Sequence, residues 1–157
     1  MSRPKWDEYF MKLAFVTAER STCQRHHVGA LMVLDRRILS GGYNGAPSGQ
    51  SDCTELGCLR NESGIPSGTM TEICRAVHAE ENAIIQAAMH GMRIKGSTVY
   101  CTHSPCRRCA KMLCNVGIIR YVTCFDYDDA VFRGLFDMAK IVFEKIPVPG
   151  HIIDILV

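Results

Sequence analysis

Apolar residues recur at Trp6, Tyr9, Phe10, Leu13 and Val16, the spacing of one helix face, and predict a helix from about Pro4 to Arg20. The pattern then changes. Val28 to Leu34 is a continuous apolar run suited to a buried strand, Asp35-Arg36-Arg37 turns it, and Ile38 to Tyr43 returns as the second arm of a β-hairpin. Residues 44–71 lose all periodicity and are rich in Gly, Pro, Ser and Thr. A loop of that length is expected to carry function or to be held by something other than a core. The second half is rhythmic. Val77 to Met89 reads as a helix ended by Gly91, Thr98 to Thr102 as a strand, and Pro105 to about Val116 as a helix stopped by Gly117. Ile118 to Phe125 follows as a strand, Asp129 to Ala139 as a helix and Lys140 to Ile146 as a strand. Strands alternating with helices predict parallel neighbours with helices on both faces. The expectation is an α/β protein with a five-stranded mixed sheet, an antiparallel pair first and αβ units after it, in a single domain over residues 1–157.

Composition narrows the function classes. The 157 residues are 47% hydrophobic and 22% charged, which fits a globular domain and not a disordered or coiled-coil chain. Eighteen basic against sixteen acidic residues leave a net charge of +2, too even for a generic nucleic-acid binder. No apolar run approaches the ~20 residues of a membrane span, and the start, Met1-Ser-Arg-Pro-Lys-Trp-Asp-Glu, does not read as a signal peptide. Nine cysteines is an odd count, which argues against a disulfide framework and for a reducing, cytoplasmic setting. Clustered cysteines there more often bind metal or do chemistry.

Two segments carry the chemistry: His78-Ala79-Glu80 and Pro105-Cys106-Arg107-Arg108-Cys109. Each is weak alone. Together, each at a predicted helix start, they match the H-x-E…P-C-x-x-C signature of zinc nucleobase deaminases. Catalytic zinc needs three protein ligands and an open position, and His78, Cys106 and Cys109 supply three. Cys106 and Cys109 share one helix face, and the positive helix end favours thiolates there. Glu80, left out of the ligand set, is then the proton shuttle between water, the ring nitrogen and the departing amine. The alternatives are a structural zinc site with Glu80 as fourth ligand, or a redox C-x-x-C pair. Of the other cysteines, Cys101, Cys114 and Cys124 read as small core residues. Cys23, Cys53, Cys58 and Cys74 bracket the long loop and are candidates for a second, structural zinc, with His26 and His27 as competing ligands and four reduced thiols as the alternative.

Beyond the two zinc segments, the chain reads Trp6-Asp-Glu-Tyr-Phe-Met, Arg20-Ser-Thr-Cys-Gln-Arg, Val28-Gly-Ala and Gly42-Tyr-Asn-Gly-Ala-Pro-Ser-Gly. With these it resembles the deoxycytidylate (dCMP) deaminases, particularly the bacterial and phage type, over most of its length. The resemblance implies a three-layer αβα cytidine-deaminase-like fold and zinc-dependent hydrolysis of dCMP to dUMP with release of ammonia. It implies a homohexamer activated by dCTP with Mg2+ and inhibited by dTTP, and a second zinc on the positions of Cys23, Cys53, Cys58 and Cys74. Regulated relatives draw on the Gly42–Gly49 loop and on a basic residue where this chain has Met89. Among substrate contacts, Asn44 corresponds to the residue that meets the sugar, Ser21 with Arg20 or Arg25 nearby to a phosphate-facing segment, and Tyr127 to a residue closing the pocket. Ala79 and Ser104 are expected to offer backbone partners to the tetrahedral intermediate. The rival readings are another zinc deaminase, such as one acting on tRNA adenosine or in the riboflavin pathway, and a zinc-stabilised binding module without catalysis.

Overall fold

The computed structural model describes residues 3–127 and 130–150. The elements run α1 (Trp6–Ala18), β1 (Gly29–Leu34), β2 (Arg37–Tyr43), α2 (Cys53–Leu56), α3 (Leu59–Glu62), α4 (Ala79–Met89), β3 (Thr98–His103), α5 (Arg107–Val116), β4 (Arg120–Phe125), α6 (Phe132–Ala139) and β5 (Val142–Lys145), with a single 3-10 turn at Thr71–Ile73. The sheet order is β2-β1-β3-β4-β5. β1 is antiparallel to β2 and to β3, while β3, β4 and β5 are parallel. This is the mixed sheet that the alternation of patterns predicts.

The continuous apolar run of β1 has a simple cause: the strand is interior and covered on both faces. Ala30 and Met32 pack into a core with Ala79, Ala83 and Ala87 of α4, Leu113 of α5 and Phe136 of α6. Leu31 and Val33 point the other way, to Phe10, Met11, Ala14 and Phe15 of α1. The helix layers are therefore α1 on one face and α4, α5 and α6 on the other. Asp7 pins α1 to the sheet: its carboxylate takes two bonds of 2.8 Å from Arg120 of β4 and one of 2.6 Å from the Tyr100 hydroxyl of β3. The arginine bonds hold the Asp7 carboxyl below its ordinary pKa.

Three differences from the sequence pattern have local causes. The hairpin turns on two residues, Asp35 and Arg36, both with positive φ (49° and 61°), so β2 starts one residue early at Arg37. The segment 44–71 is not free of regular structure: it holds the one-turn helices α2 and α3. Asp52 caps α2 by accepting from the Thr54 N–H at 2.8 Å. Single turns show no 3.6-residue apolar period, so only their caps mark them in a sequence. The helix expected from Asp129 begins at Phe132, and Asp129 itself lies outside the described residues.

One close approach fixes the site. α4 lies on β2 directly over Gly42, where an added Cβ would fall 2.5 Å from both the Ala79 carbonyl and the Ala83 N–H. Gly42→Ala is expected to cost about 1–3 kcal/mol in chemical denaturation, because backbone must move. Gly41→Ala, whose Cβ would meet chiefly the tip of Leu31 at 2.9 Å, is expected to cost less.

Candidate active site

Two helix starts converge on one point. His78 is the N-cap of α4 and Cys106 the N-cap of α5, with Cys109 in the first turn of α5. The His78 Nδ1 lies 3.4 Å from the Cys106 Sγ and 3.4 Å from the Cys109 Sγ. All three ligand atoms fall within 4.8 Å of one another, the one such His/Cys/Asp/Glu group among the described residues. Tetrahedral zinc with bonds of ~2.0 Å to nitrogen and ~2.3 Å to sulfur would space N and S by roughly 3.5 Å. One imidazole and two thiolates at this spacing fit zinc in donor type and in distance. Their chemistry is already poised: the hydrogen bond from Cys109 pulls the Cys106 thiol down to about 4 despite its burial.

The two starts are tied by Glu81, one residue beyond Glu80. Its carboxylate accepts from the His78 backbone N–H at 2.9 Å, as in a capping box, and from Arg108 of α5 at 2.6 Å. Burial alone would raise its pKa, but the Arg108 bond and the His78 N–H hold it below the ordinary value. Glu80 is buried with a different surrounding. Its Oε1 receives a long contact of 3.3 Å from the Tyr121 hydroxyl, whose shorter bond, 2.8 Å, goes to the His103 carbonyl. Burial, and then the Cys106 thiolate, push the Glu80 carboxyl up to about 7. Such a group gains and loses a proton near neutrality, as a general acid–base must.

His78, Glu80 and Cys106 line an open cleft with Ala79, Ser104, Asn44, Tyr127, Arg25, Arg60, His26 and His103. Asn44 is buried and locked: its Oδ1 accepts from the Ser21 hydroxyl at 2.6 Å and the Val28 N–H at 2.9 Å, and its Nδ2 donates to the His26 carbonyl at 2.8 Å. One Nδ2 hydrogen is left for a ligand. Ser21 does not line the cleft; its hydroxyl faces Asn44. The Ser104 N–H is already bonded to the Phe125 carbonyl at 2.8 Å, and its Oγ accepts from the Tyr127 N–H at 2.7 Å, which leaves its carbonyl and its hydroxyl hydrogen to offer a ligand. The Ala79 N–H, first in α4, has no intrahelical acceptor. Arg20 is absent from the cleft wall, whereas Arg25 is part of it.

Sequence reasoning missed several wall residues. His26 and His103 join the expected Tyr127 in an aromatic side, with ring centroids 5.5 Å apart for the histidine pair and 6.1 Å for His26 and Tyr127. Burial pulls His103 down to about 4, so it stays neutral. Nothing in the local sequence places the two histidines in a cleft, because the rings meet only through the folded sheet. Glu81 could have been found as the N3 residue of a capping box. Arg60 had no signal at all.

The four thiols around the long loop, Cys23, Cys53, Cys58 and Cys74, are partly gathered. Cys53 and Cys58 are buried, and Cys53 is raised by burial and by the proximity of Cys74, Cys23 and Cys58. They are not drawn within the 4.8 Å spacing that the first set shows.

Comparison with known proteins names the class. The family model "Cytidine and deoxycytidylate deaminase zinc-binding region" matches residues 4–125, and the chain belongs to that family. Among curated relatives, the chain is 42% identical over 127 residues to the deoxycytidylate deaminase of Mycobacterium phage D29, covering 78% of this chain and 96% of that one. It is 35% identical over 156 residues to ComE operon protein 2 of Bacillus subtilis, covering 99% of this chain and 78% of that one. Among solved structures, dCMP deaminase of the cyanophage S-TIM5 in complex with dCMP and dUMP superposes with a TM-score of 0.77 at 31% identity, covering 93% of this chain and 100% of that one. The shared fold is the cytidine-deaminase-like αβα sandwich. No helix among the described residues is long and apolar enough to cross a membrane.

Removing the Glu81 carboxylate should loosen both ligand-bearing helix starts. Glu81→Ala is expected to weaken zinc binding about 10- to 100-fold in a chelator competition, with Glu81→Gln losing less.

Proposed function

We propose that this chain hydrolyses dCMP to dUMP and ammonia, supplying dUMP for thymidylate synthesis. The observation that carries the reading is the buried Glu80 carboxyl beside the His78, Cys106 and Cys109 donor set at an open cleft. Relatives named deoxycytidylate deaminase, and a neighbour crystallised with dCMP and dUMP, supply the substrate class. Zinc held by His78, Cys106 and Cys109 would supply Lewis acidity that activates water near neutral pH.

Glu80 handles every proton in this scheme. It takes one from the attacking water and gives it to ring nitrogen 3 of cytosine. It takes the second and gives it to the leaving amine as the C4–N bond breaks and the C4–O bond is kept. Water and dCMP are consumed, ammonia and dUMP are released, and Glu80 ends as it began. The Tyr121 hydroxyl orients the carboxyl. The free Ala79 N–H and the Ser104 carbonyl serve as backbone partners to the reacting base, Asn44 meets the sugar with its spare amide hydrogen, and Tyr127 closes the aromatic side. Ser21 acts through Asn44, by fixing the amide.

The same reading extends to a second, structural zinc on Cys23, Cys53, Cys58 and Cys74, supported by the mutual proximity of the four thiols. It extends to one deaminase unit over residues 1–157 in a homohexamer, in a reducing cytoplasm that suits nine free thiols. Regulation by dCTP with Mg2+ and by dTTP is assigned to the cleft between Gly42–Ser48 and Asn82, Gln86 and His90 of α4. No lysine or arginine lines that cleft among the described residues, so the charge of a triphosphate would be met by magnesium or by a neighbouring copy.

Zinc-loaded protein given dCMP, CMP, deoxycytidine and dCTP should release ammonia fastest from dCMP. Glu80→Gln should lose about 10²- to 10⁴-fold in kcat while keeping its zinc. No turnover of any of the four, with dCTP and magnesium added as activator, would overturn the reading. Metal analysis of Glu80→Gln should give two zinc ions per chain, falling to one in Cys53→Ser; one zinc at full loading removes the structural site.

A further inference from the structure

Tyr121 joins the cleft to a layer of aromatic rings that the catalytic scheme does not use. It lies on β4 and is fully buried. Its hydroxyl is held at the cleft, donating to the His103 carbonyl at 2.8 Å and standing 3.3 Å from Glu80 Oε1. Its ring is held from the other side. Phe143 of β5 is its direct cross-strand neighbour and stacks on it, with centroids 6.1 Å apart and planes 20° apart. Phe136 of α6 meets the same ring at 5.7 Å. Phe132, at the start of α6, closes the group at 4.9 Å from Phe143 and 5.5 Å from Phe136. The half-buried Phe143 is covered in turn by the Arg133 guanidinium, 4.9 Å from its centroid. Among the described residues, neither α6 nor β5 supplies a residue to the cleft wall.

A phenol has no joint between its ring and its oxygen, so a ring that tilts or slides carries the oxygen with it. A ring packed in a dense interior moves only when its neighbours do. The stacked Phe143 and the tilted Phe136 therefore determine where the Tyr121 oxygen sits. That oxygen carries one hydrogen and lies between the His103 carbonyl and the Glu80 carboxyl. A small displacement changes how it meets both. Glu80 has to reach water, ring nitrogen and leaving amine in turn, and a misplacement of about 1 Å in such a group can cost about 10²-fold in rate. A hydroxyl used for packing alone would not need to stand beside the proton-carrying carboxyl; a phenylalanine fills the same slot.

We propose that Phe143 and Phe136 are positioning residues for the deamination: through the Tyr121 ring they set where the Glu80 carboxyl stands, and the α6–β5 edge of the sheet thereby governs turnover from outside the cleft. The inference rests on the deaminase reading above. The path is contiguous, from Phe143 to the Tyr121 ring to its hydroxyl to Glu80, and each step is a contact between packed or hydrogen-bonded groups.

The test is a double-mutant cycle on zinc-loaded protein with dCMP as substrate. Tyr121→Phe keeps the ring and removes the hydroxyl; Phe143→Leu keeps the hydroxyl and removes the stacked ring. Tyr121→Phe is expected to lower kcat about tenfold and Phe143→Leu about threefold or more, each with KM changed by less than about twofold. The double variant should fall no further than Tyr121→Phe alone, because without the hydroxyl the ring no longer acts on Glu80. Losses that multiply in the double variant, a loss carried by KM, or a kcat of Phe143→Leu within about threefold of wild type overturns the proposal. If Phe143→Leu does not fold, Phe143→Met carries the cycle with the same outcomes. Wild type inert toward dCMP contradicts the deaminase reading instead, and crystal structures of zinc-loaded wild type and Phe143→Leu then decide the positioning role. A Glu80 carboxyl displaced by about 0.5 Å or more in Phe143→Leu supports it, and an unmoved one overturns it.

Discussion

The structure depends on two helices aiming their first turns at the same point. Helix starts repel each other, since each presents unsatisfied N–H groups and a partial positive charge. Here the repulsion is offset by anions placed between them. The Glu81 carboxylate bonds the start of α4 and the Arg108 side chain of α5 at once, and the Cys106 thiolate adds a second negative charge. The sheet supplies the rest of the alignment. Gly42 lets α4 settle onto β2, and β3 leads through His103 and Ser104 directly into the first turn of α5.

That geometry separates two neighbouring glutamates by role. Glu81 is paired and held ionised; Glu80, its neighbour in the chain but on another side of the helix, is buried against Tyr121 and drawn toward neutral pKa. The difference comes from what each meets. A carboxylate that accepts from Arg108 and a backbone N–H is a structural anion. One that is fully buried, with a thiolate and a long phenol contact beside it, is ready to exchange a proton.

Most of the fold was legible because it follows from burial. The unbroken apolar run from Val28 to Leu34 is that of an interior strand, and the αβ alternation after Val77 sets the parallel half. The metal ligands were legible because their spacing is local: Cys106 and Cys109 share a turn, and His78 stands at a helix start. The cleft wall was not. Arg60 and His26 reach it from separate segments whose paths depend on contacts between distant residues, such as Arg25 to Ile65, and His103 reaches it from the end of β3. Ser21 shows the same limit from the other side. Its sequence neighbourhood suggested a phosphate contact, whereas its hydroxyl is spent on Asn44. Short helices α2 and α3 escaped because single turns have no periodicity.

The recognition surface and the chemical centre therefore have different architectures. The centre is built on helix starts set by the sheet, and much of the wall is hung on loop segments held by bonds such as that from Arg25 to the Ile65 carbonyl. The most direct test is a crystal structure of the zinc-loaded protein with an unreactive deoxycytidylate analogue. Zinc is expected on His78 Nδ1, Cys106 and Cys109, with a fourth position not filled by protein and Glu80 outside the ligand set, within hydrogen-bond reach of the base. Glu80 bound to the metal, or a fourth protein side chain closing the site, would contradict this mechanism.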